Sequence, residues 1–154
     1  MLNGMEKMII RPMNKTDINF VVSAVHGVHE ASKQTGEIID LNNRLRADIL
    51  SEQPKAHVAI AEIAGQSVGM TLYSTVYFAD EGEIMWQSQL FVMPEYRGKG
   101  VADRLIDYLK EVCKQQGYYA ICGAIAKTNS ASRACFKRNG GYFLEDFEMV
   151  IIKP

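Results

Sequence analysis

The sequence predicts an α/β fold, a single domain over residues 1–154 with a mixed central sheet flanked by helices, and three observations lead there. Apolar residues recur at helical spacing in four separate segments. The middle of the chain alternates with period two through three strand-like runs. Strand and helix patterns then follow one another toward the C-terminus. A length of 154 residues suits one domain with a real core, and no linker, repeat or low-complexity tract divides it.

Taken in order, Met8 to Pro12 (MIIRP) reads as a short strand stopped by proline. Thr16 then caps a helix in which Ile18, Val21, Val22, Val25 and Val28 share one stripe. After a turn at Gly36, Asp40 caps a second helix carrying Leu41, Leu45, Ile49 and Leu50, and Pro54 ends that segment. From His57 the period changes to two. HVAIAEI, a turn at Ala64-Gly65-Gln66, SVGMTLYSTVY, an acidic turn at residues 79–82 and EIMWQSQLFV together predict an antiparallel meander. Residues 98–116 predict a long amphipathic helix with Val101, Ala102, Leu105, Ile106, Leu109, Val112 and Cys113 on one stripe, ended by Gly117. Tyr119 to Ala126 reads as a buried strand, Ser130 to Asn139 as a helix, and YFLEDFEMVII as a closing hairpin or pair of strands.

Composition narrows the function. Hydrophobic residues make up 47% and charged residues 23%, which is globular composition. No apolar run is long enough to cross a membrane, and the first residues carry no apolar signal core, so a cytoplasmic protein without a membrane partner is expected. A net charge of −1 argues against nucleic acid as a partner. Cys113, Cys122 and Cys135 are odd in number and lack CxxC spacing, which excludes a disulfide framework or zinc knuckle and leaves no metal site. The charge is nevertheless uneven. Residues 97–138 carry nine Lys or Arg against three acids, a window of +6 that leaves −7 for the rest of the chain. Such a segment in an otherwise acidic protein suggests a place for a polyanionic ligand.

The chemistry concentrates in LFVMPEYRGKGVADRL, residues 90–105. A strand ends at Val92, and Arg97-Gly98-Lys99-Gly100-Val101-Ala102 opens a helix almost at once. Glycines let a ligand approach the backbone, the first N–H groups of a helix have no intrahelical partner, and the helix dipole favours an anion there. Arg97 and Lys99 add charge. No Gly-Lys-Ser/Thr follows, as a P-loop requires, and Asp103 stands where a GxGxxG motif needs its third glycine.

Arg97-x-x-Gly100-x-Ala102 matches the Q/R-x-x-G-x-G/A signature, and NSASRACFKRNGGY from Asn129 is similar to an N-x-x-A-x-x-x-Y-x-x-x-G-F segment downstream of it. Over residues 88–142 the chain thus resembles the GNAT superfamily of acyl-CoA-dependent N-acetyltransferases, and its LFVMPEYRGKG run resembles the diamine acetyltransferase branch. The resemblance implies acetyl-CoA as co-substrate. Strand 83–92 and strand 119–126 would splay, with backbone groups of Leu90, Phe91 and Val92 on the pantetheine arm and the N–H groups from Gly98 to Ala102 on the pyrophosphate. Asn129 and Phe136 would complete the cofactor side, and Asn129 can also cap the helix that starts there. It further implies direct attack by a primary amine without an acyl-enzyme. Cys135 has no identifiable histidine partner for another route. Homodimers are common in that family, so a homodimer is an open expectation.

Departures from the family pattern bear on mechanism. Phe136 stands where many members place a tyrosine that protonates the departing thiolate; Tyr142 or water could take that role. A thiol with pKa about 8.5 leaves tolerably near neutral pH, so the loss is mild. Ser88 and Gln89 occupy the positions of an acidic pair frequent in the diamine branch, and neither is a base, although both can hold a water. An acceptor amine with pKa about 10.4 requires about 4.6 kcal/mol to be freed of its proton at pH 7. Glu83 and Glu81 are the nearest carboxylates. Strict alternation would place Glu83, Gln87 and Gln89 on one face of the sheet. His26 and His29 read as helix-surface histidines on a helix that lines the acceptor cleft in the family. Tyr73, Tyr77 and Trp86 read as sheet packing. The −7 outside the basic window favours a small cationic acceptor such as a diamine or polyamine. Protein lysines or N-terminal amines form a second class, and a non-catalytic acetyl-CoA sensor a third.

Overall fold

A computed structural model describes residues 7–33 and 36–154. The described chain forms two compact units, one ending at Gly123 and the other spanning Ala124–Pro154.

The first unit is built on five strands in spatial order β1-β2-β3-β4-β5: β1 Ile9–Pro12, β2 His57–Ile63, β3 Gln66–Phe78, β4 Gly82–Val92 and β5 Ile121–Cys122. The first three pairings are antiparallel and β4–β5 is parallel, giving the mixed sheet that the sequence predicts. Helices α1 (Ile18–Ala31) and α2 (Leu41–Asp48) follow β1, and α3 (Val101–Gln116) follows β4. Period-two alternation sends Val58 and Ile60 of β2 and Met70 of β3 into one core with Ile18, Val21, Ala24 and Val25 of α1 and Leu45 of α2. Ala59, Ala61 and Val68 face the other core, shared with Val101, Leu105, Leu109 and Cys113 of α3. The small residues on that side matter. A Cβ added at Gly69 would stand 2.9 Å from Val101 Cγ1 and 3.1 Å from the Phe91 carbonyl, so glycine there lets the start of α3 press against the sheet.

The start of α1 differs from the sequence expectation. Asn14, rather than Thr16, is the cap: its Oδ1 accepts from the Thr16 N–H at 2.9 Å, ahead of a single 3-10 turn, Lys15–Asp17. Asp17 is buried, and its carboxylate accepts from both Nη atoms of Arg11 at 2.7 and 2.9 Å, from the Asn14 N–H and from the Ser67 hydroxyl. Burial alone would raise this carboxyl's pKa, but Arg11 and the two other donors together hold it below the usual carboxylate value. Asp40 does precede α2, yet its Oδ1 accepts from the Asn43 side chain rather than from the backbone.

The strand expected from Tyr119 to Ala126 shrinks to Ile121–Cys122, half-buried, because only Met85 and Trp86 of β4 pair with it. The second unit holds α4 (Ser130–Arg138), capped by Asn129, whose Oδ1 accepts from the Ser132 N–H at 3.1 Å. The hairpin expected within residues 142–152 is not formed, and Tyr142, Phe147, Ile151 and Ile152 are exposed. Alternation there meets no ladder within its unit to satisfy a strand's N–H and C=O groups. What orders this segment is side-chain contact: the Arg133 guanidinium lies 3.9 Å from the Phe143 ring centre and reaches Glu145 at 3.4 Å.

Candidate active site

Three features of the first unit lie along the C-terminal half of β4 and the turn after it. The first is the helix start. Gly98 and Gly100 have φ of +73° and +81°, left-handed values that an L side chain adopts only with strain, and a Cβ at either would meet nothing within 4 Å. Gly100 is the N-cap of α3 and offers no side chain to its first turn. The N–H groups of Val101 and Ala102 are therefore available to an external acceptor. Arg97 turns one edge of its guanidinium back, Nε donating to the Val92 carbonyl at 3.0 Å, and Lys99 sits 5.3 Å from the Tyr96 ring centre. A glycine backbone open on one side, an uncapped helix start and two cations form a donor set that fits a diphosphate.

The second feature is a bulge. Leu72 pairs with Gln89 but Tyr73 pairs with Gln87, so Ser88 is an extra residue on β4. It reverses the phase of the strand. Met85 packs in the α3-side core, and Gln87 shares that side with its partner Tyr73. Beyond the bulge Leu90 and Val92 face α3, while Phe91 packs on Phe20 and against Gly27 of α1. The strict alternation expected for Glu83, Gln87 and Gln89 is thus corrected. Gln89 faces α1 and α2, whereas Gln87 faces α3.

The third feature is a cavity of about 490 Å³ between α1, α2 and the sheet. Its apolar wall comes from Val25, Val28, Ile38, Leu45, Ile49 and Leu72. Its charged groups are of both signs, Glu37, Asp48, Arg44 and Lys55, with Asp48 and Lys55 paired at 3.0 Å, and His29 adds an imidazole. Gln89 lines it, and the Gln89 Oε1 is buried without a hydrogen-bond partner among the described residues. A buried amide oxygen in that condition is an acceptor waiting for a donor.

The structure distributes the sequence candidates unevenly. Leu90, Phe91, Val92, Arg97, Gly98, Lys99, Gly100, Val101 and Ala102 follow Gln89 in one continuous stretch at the end of β4 and the start of α3. Within that stretch Phe91 differs from its neighbours. The Met93 N–H donates to the Val68 carbonyl of β3 at 2.8 Å, so Met93, Phe91 and Gln89 turn their backbone groups toward β3, and Leu90 and Val92 turn theirs to the other edge. Glu83 is exposed at the far end of β4, about 20 Å along the strand from Gln89 and on the α3 side with Met85, so the fold does not bring it to the cavity. Ser88 is exposed and does not line the cavity. Tyr73 does not line this cavity; it is buried against α3, and burial together with neighbouring Tyr108 pushes its hydroxyl up to about 12, where it holds its proton. His29 lines the cavity while His26 is exposed. In the second unit Asn129 caps α4, Phe136 is half-buried and Tyr142 is 84% exposed.

Sequence reasoning missed Arg44 and Lys55 on the cavity wall, and the hydrogen-bonded pair Thr71 and Gln87 beneath the bulge. The face on which Arg44 stands follows from the register of α2, whereas Lys55 lies in the bend between α2 and β2, where no periodicity places it. A bulge, by contrast, leaves no mark in composition, and only an unexplained glutamine on the buried side of an alternating strand could have signalled it.

This geometry meets its counterpart in known proteins. The profile of the Acetyltransferase (GNAT) family matches residues 25–142. The chain belongs to that family and is an acetyl-CoA-dependent N-acetyltransferase. Among curated relatives, it is 27% identical over 147 residues to the thialysine N-epsilon-acetyltransferase of Mus musculus, covering 90% of this chain and 86% of that one. Among solved structures it superposes with a TM-score of 0.81 on a possible acetyltransferase from Clostridium difficile 630, at 20% identity over 97% of this chain and 99% of that one. It also resembles the aminoglycoside N-acetyltransferase AAC(6')-Iy in complex with CoA, with a TM-score of 0.75, 21% identity and coverage of 100% and 98%. The structural likenesses, at about a fifth identity, speak for the fold. Among the described residues no cluster of His, Cys, Asp or Glu could hold a metal, and no helix is long and apolar enough to cross a membrane.

Proposed function

We propose that the chain transfers acetyl from acetyl-CoA to a primary amine of a small acceptor seated between α1, α2 and β4. The observation that carries this reading is Gln89, which lines the cavity and whose buried Oε1 has no partner among the described residues, one residue before the outward-facing backbone of Leu90. An amine N–H is the donor that oxygen lacks. In this reading the N–H groups from Gly98 to Ala102, with Arg97 and Lys99, hold the diphosphate. The outward backbone groups of Leu90 and Val92 hold the pantetheine arm. The family match spans both compact units, which supports a single catalytic domain over residues 1–154; the cytoplasm, expected from the sequence, is part of the same proposal. Homodimerisation is compatible with it and is read from the mass in solution.

The acceptor's neutral nitrogen attacks the acetyl carbon. The N–C bond forms, charge gathers on the acetyl oxygen, the C–S bond breaks with its electron pair on sulfur, and the nitrogen's surplus proton passes to water. Neither Ser88 nor Gln89 can act as a base, and Asp48 of the cavity wall is paired with Lys55 at 3.0 Å, so in this reading the acceptor arrives largely by its own deprotonation.

The cavity refines the expected acceptor. Its walls carry Arg44, Lys55 and His29 as well as Glu37 and Asp48, so the −7 outside the basic window does not concentrate there. A small amine that also bears a carboxylate suits such a lining better than a bare polyamine. The relatives' activity on thialysine, an amino acid with a terminal amine, supports the same choice. The volume falls within the range of small-molecule pockets, about 300–1,000 Å³, and a folded protein surface would not enter it.

The test is release of CoA thiol from acetyl-CoA with diamines, polyamines, amino acids bearing a terminal amine, aminoglycosides and a lysine peptide, at pH 7 and 9. Turnover with amino-acid amines is expected. Preference for the lysine peptide would refute the small-acceptor reading. Silence across the panel with acetyl-CoA bound would favour a cofactor-sensing module.

A further inference from the structure

Beneath the bulge lies a polar chain that the transfer reading leaves unused. The Gln87 Nε2 donates to the Thr71 Oγ1 at 2.8 Å, and the Thr71 Oγ1 donates to the Gln89 carbonyl at 2.9 Å. Gln87 is 6% exposed and Thr71 fully buried. The directions follow from chemistry. A carbonyl can only accept, so the single hydroxyl proton of Thr71 is committed to Gln89. The hydroxyl oxygen must then accept from its other neighbour, which fixes the Gln87 amide with its NH₂ toward Thr71 and its Oε1 away. That Oε1 is buried without a partner among the described residues, an unfavourable arrangement retained for the sake of the donor.

The carbonyl held by Thr71 belongs to the peptide that joins Gln89 to Leu90. A trans peptide is planar with its C=O and N–H pointing opposite ways, and the chain contains no cis bond among the described residues. Drawing the Gln89 oxygen toward β3 therefore aims the Leu90 N–H at the other edge of β4. No strand of the sheet pairs with that edge beyond Trp86. We propose that Thr71, keyed by Gln87, is a positioning residue that aims the Leu90 N–H at the oxygen of the acetyl group undergoing transfer. This rests on the acetyl-transfer reading above. The choice of Leu90 over Val92 follows from adjacency. Gln89 holds the attacking amine, the acetyl carbon must lie against that amine, and Leu90 carries the next outward N–H. A donor aimed where charge gathers lowers the barrier to transfer more than it tightens binding.

The experiment follows backbone amide signals of the full chain by ¹H–¹⁵N correlation, first with CoA and then with acetyl-CoA, which differ only in the acetyl group. The Leu90 amide should move downfield with acetyl-CoA and not with CoA. The shift should vanish in Thr71→Val and return in Thr71→Ser. In turnover, Thr71→Val should lower kcat about 10- to 100-fold with the acetyl-CoA KM nearly unchanged, and Thr71→Ser should recover it. Gln87→Met should lower kcat alone but add nothing in the Thr71→Val background, because the two act as one chain. Amides of Gly98 to Ala102 that respond while Leu90 stays still would overturn the inference and leave the cofactor site standing. An acetyl-specific Leu90 shift with no amine turned over would support the inference and count against the acceptor reading. A folded Thr71→Val variant with normal kcat would also overturn it.

Discussion

Gly100 carries the sharpest test of the cofactor site. Its φ of +81° costs an L residue about 1–2 kcal/mol, and its Cβ direction meets nothing within 4 Å, so substitution strains the backbone without a clash. In a chain of this size that strain corresponds to a Tm loss of about 2–8 °C, and the fold survives. Gly100→Ala isolates this effect and should weaken CoA binding by less than about tenfold. Gly100→Glu adds a carboxylate to a seat for a dianion. A like-charge placement of this kind costs several kcal/mol, and about 3 kcal/mol is about 150-fold in Kd. Titration calorimetry with CoA, beside thermal melts of both variants, reads the two effects separately. The added loss in Gly100→Glu should shrink as salt is raised, because part of it is screened. A folded Gly100→Glu variant that binds CoA as the wild type does would refute the assignment of the diphosphate to this turn.

Three further outcomes follow. Asp17→Asn should cost about 3 kcal/mol and about 6–12 °C in Tm, because Arg11 loses a buried partner. Since the folded carboxyl titrates below its unfolded value of about 3.9, its stabilisation is present above that pH and fades as acid protonates the folded form, so urea melts of wild type and variant should converge as the pH falls through the folded carboxyl's lowered value. Phe136→Tyr should raise kcat by less than about tenfold, since the thiol already leaves well; a larger gain would mean that leaving-group protonation limits the enzyme. With an acceptor of pKa about 10.4, kcat/KM should climb up to about 100-fold between pH 7 and 9, following the free amine, and an early plateau would reveal a base in the cavity.

The helices and the meander were legible because their signals are local. The stripe predicted for residues 98–116 buries Val101, Leu105, Ile106, Leu109 and Cys113, and Gly117 ends the helix at φ +73°. The open glycine turn before α3 was legible for the same reason, since glycine spacing and helix polarity lie within one short stretch. Wherever partnership decides, the sequence was silent. YAICGAIA has the composition of a buried strand, but a strand exists only where another presents matching groups, and β4 offers two residues to it. The C-terminal alternation fails by the same principle. The cavity between α1, α2 and the sheet required knowing which turn of α2 stands over which residue of β4, a distance in sequence of more than forty positions.

Ser88 shows how one residue can matter through its backbone alone. It is exposed, it does not line the cavity between α1, α2 and the sheet, and yet it is the residue by which β4 exceeds β3. Ser88→Ala should therefore keep kcat within about threefold, since every neighbour retains its face. Deletion of Ser88 is a different perturbation. Restored alternation would turn Leu90 and Val92 toward α1 and Phe91 toward α3, against cores shaped for the reverse. Misplacing each such side chain forfeits about 1.5–3 kcal/mol of burial, and three together approach the whole stability of a domain, about 5–15 kcal/mol. If the strand instead slid to keep its core, Gln89 and the Leu90 N–H would leave the positions proposed above to face the acceptor and the acetyl group. The deletion should thus lose either the fold, read by thermal melting, or transfer, read by thiol release. A folded deletion variant with normal turnover would show that the bulge does not organise the site.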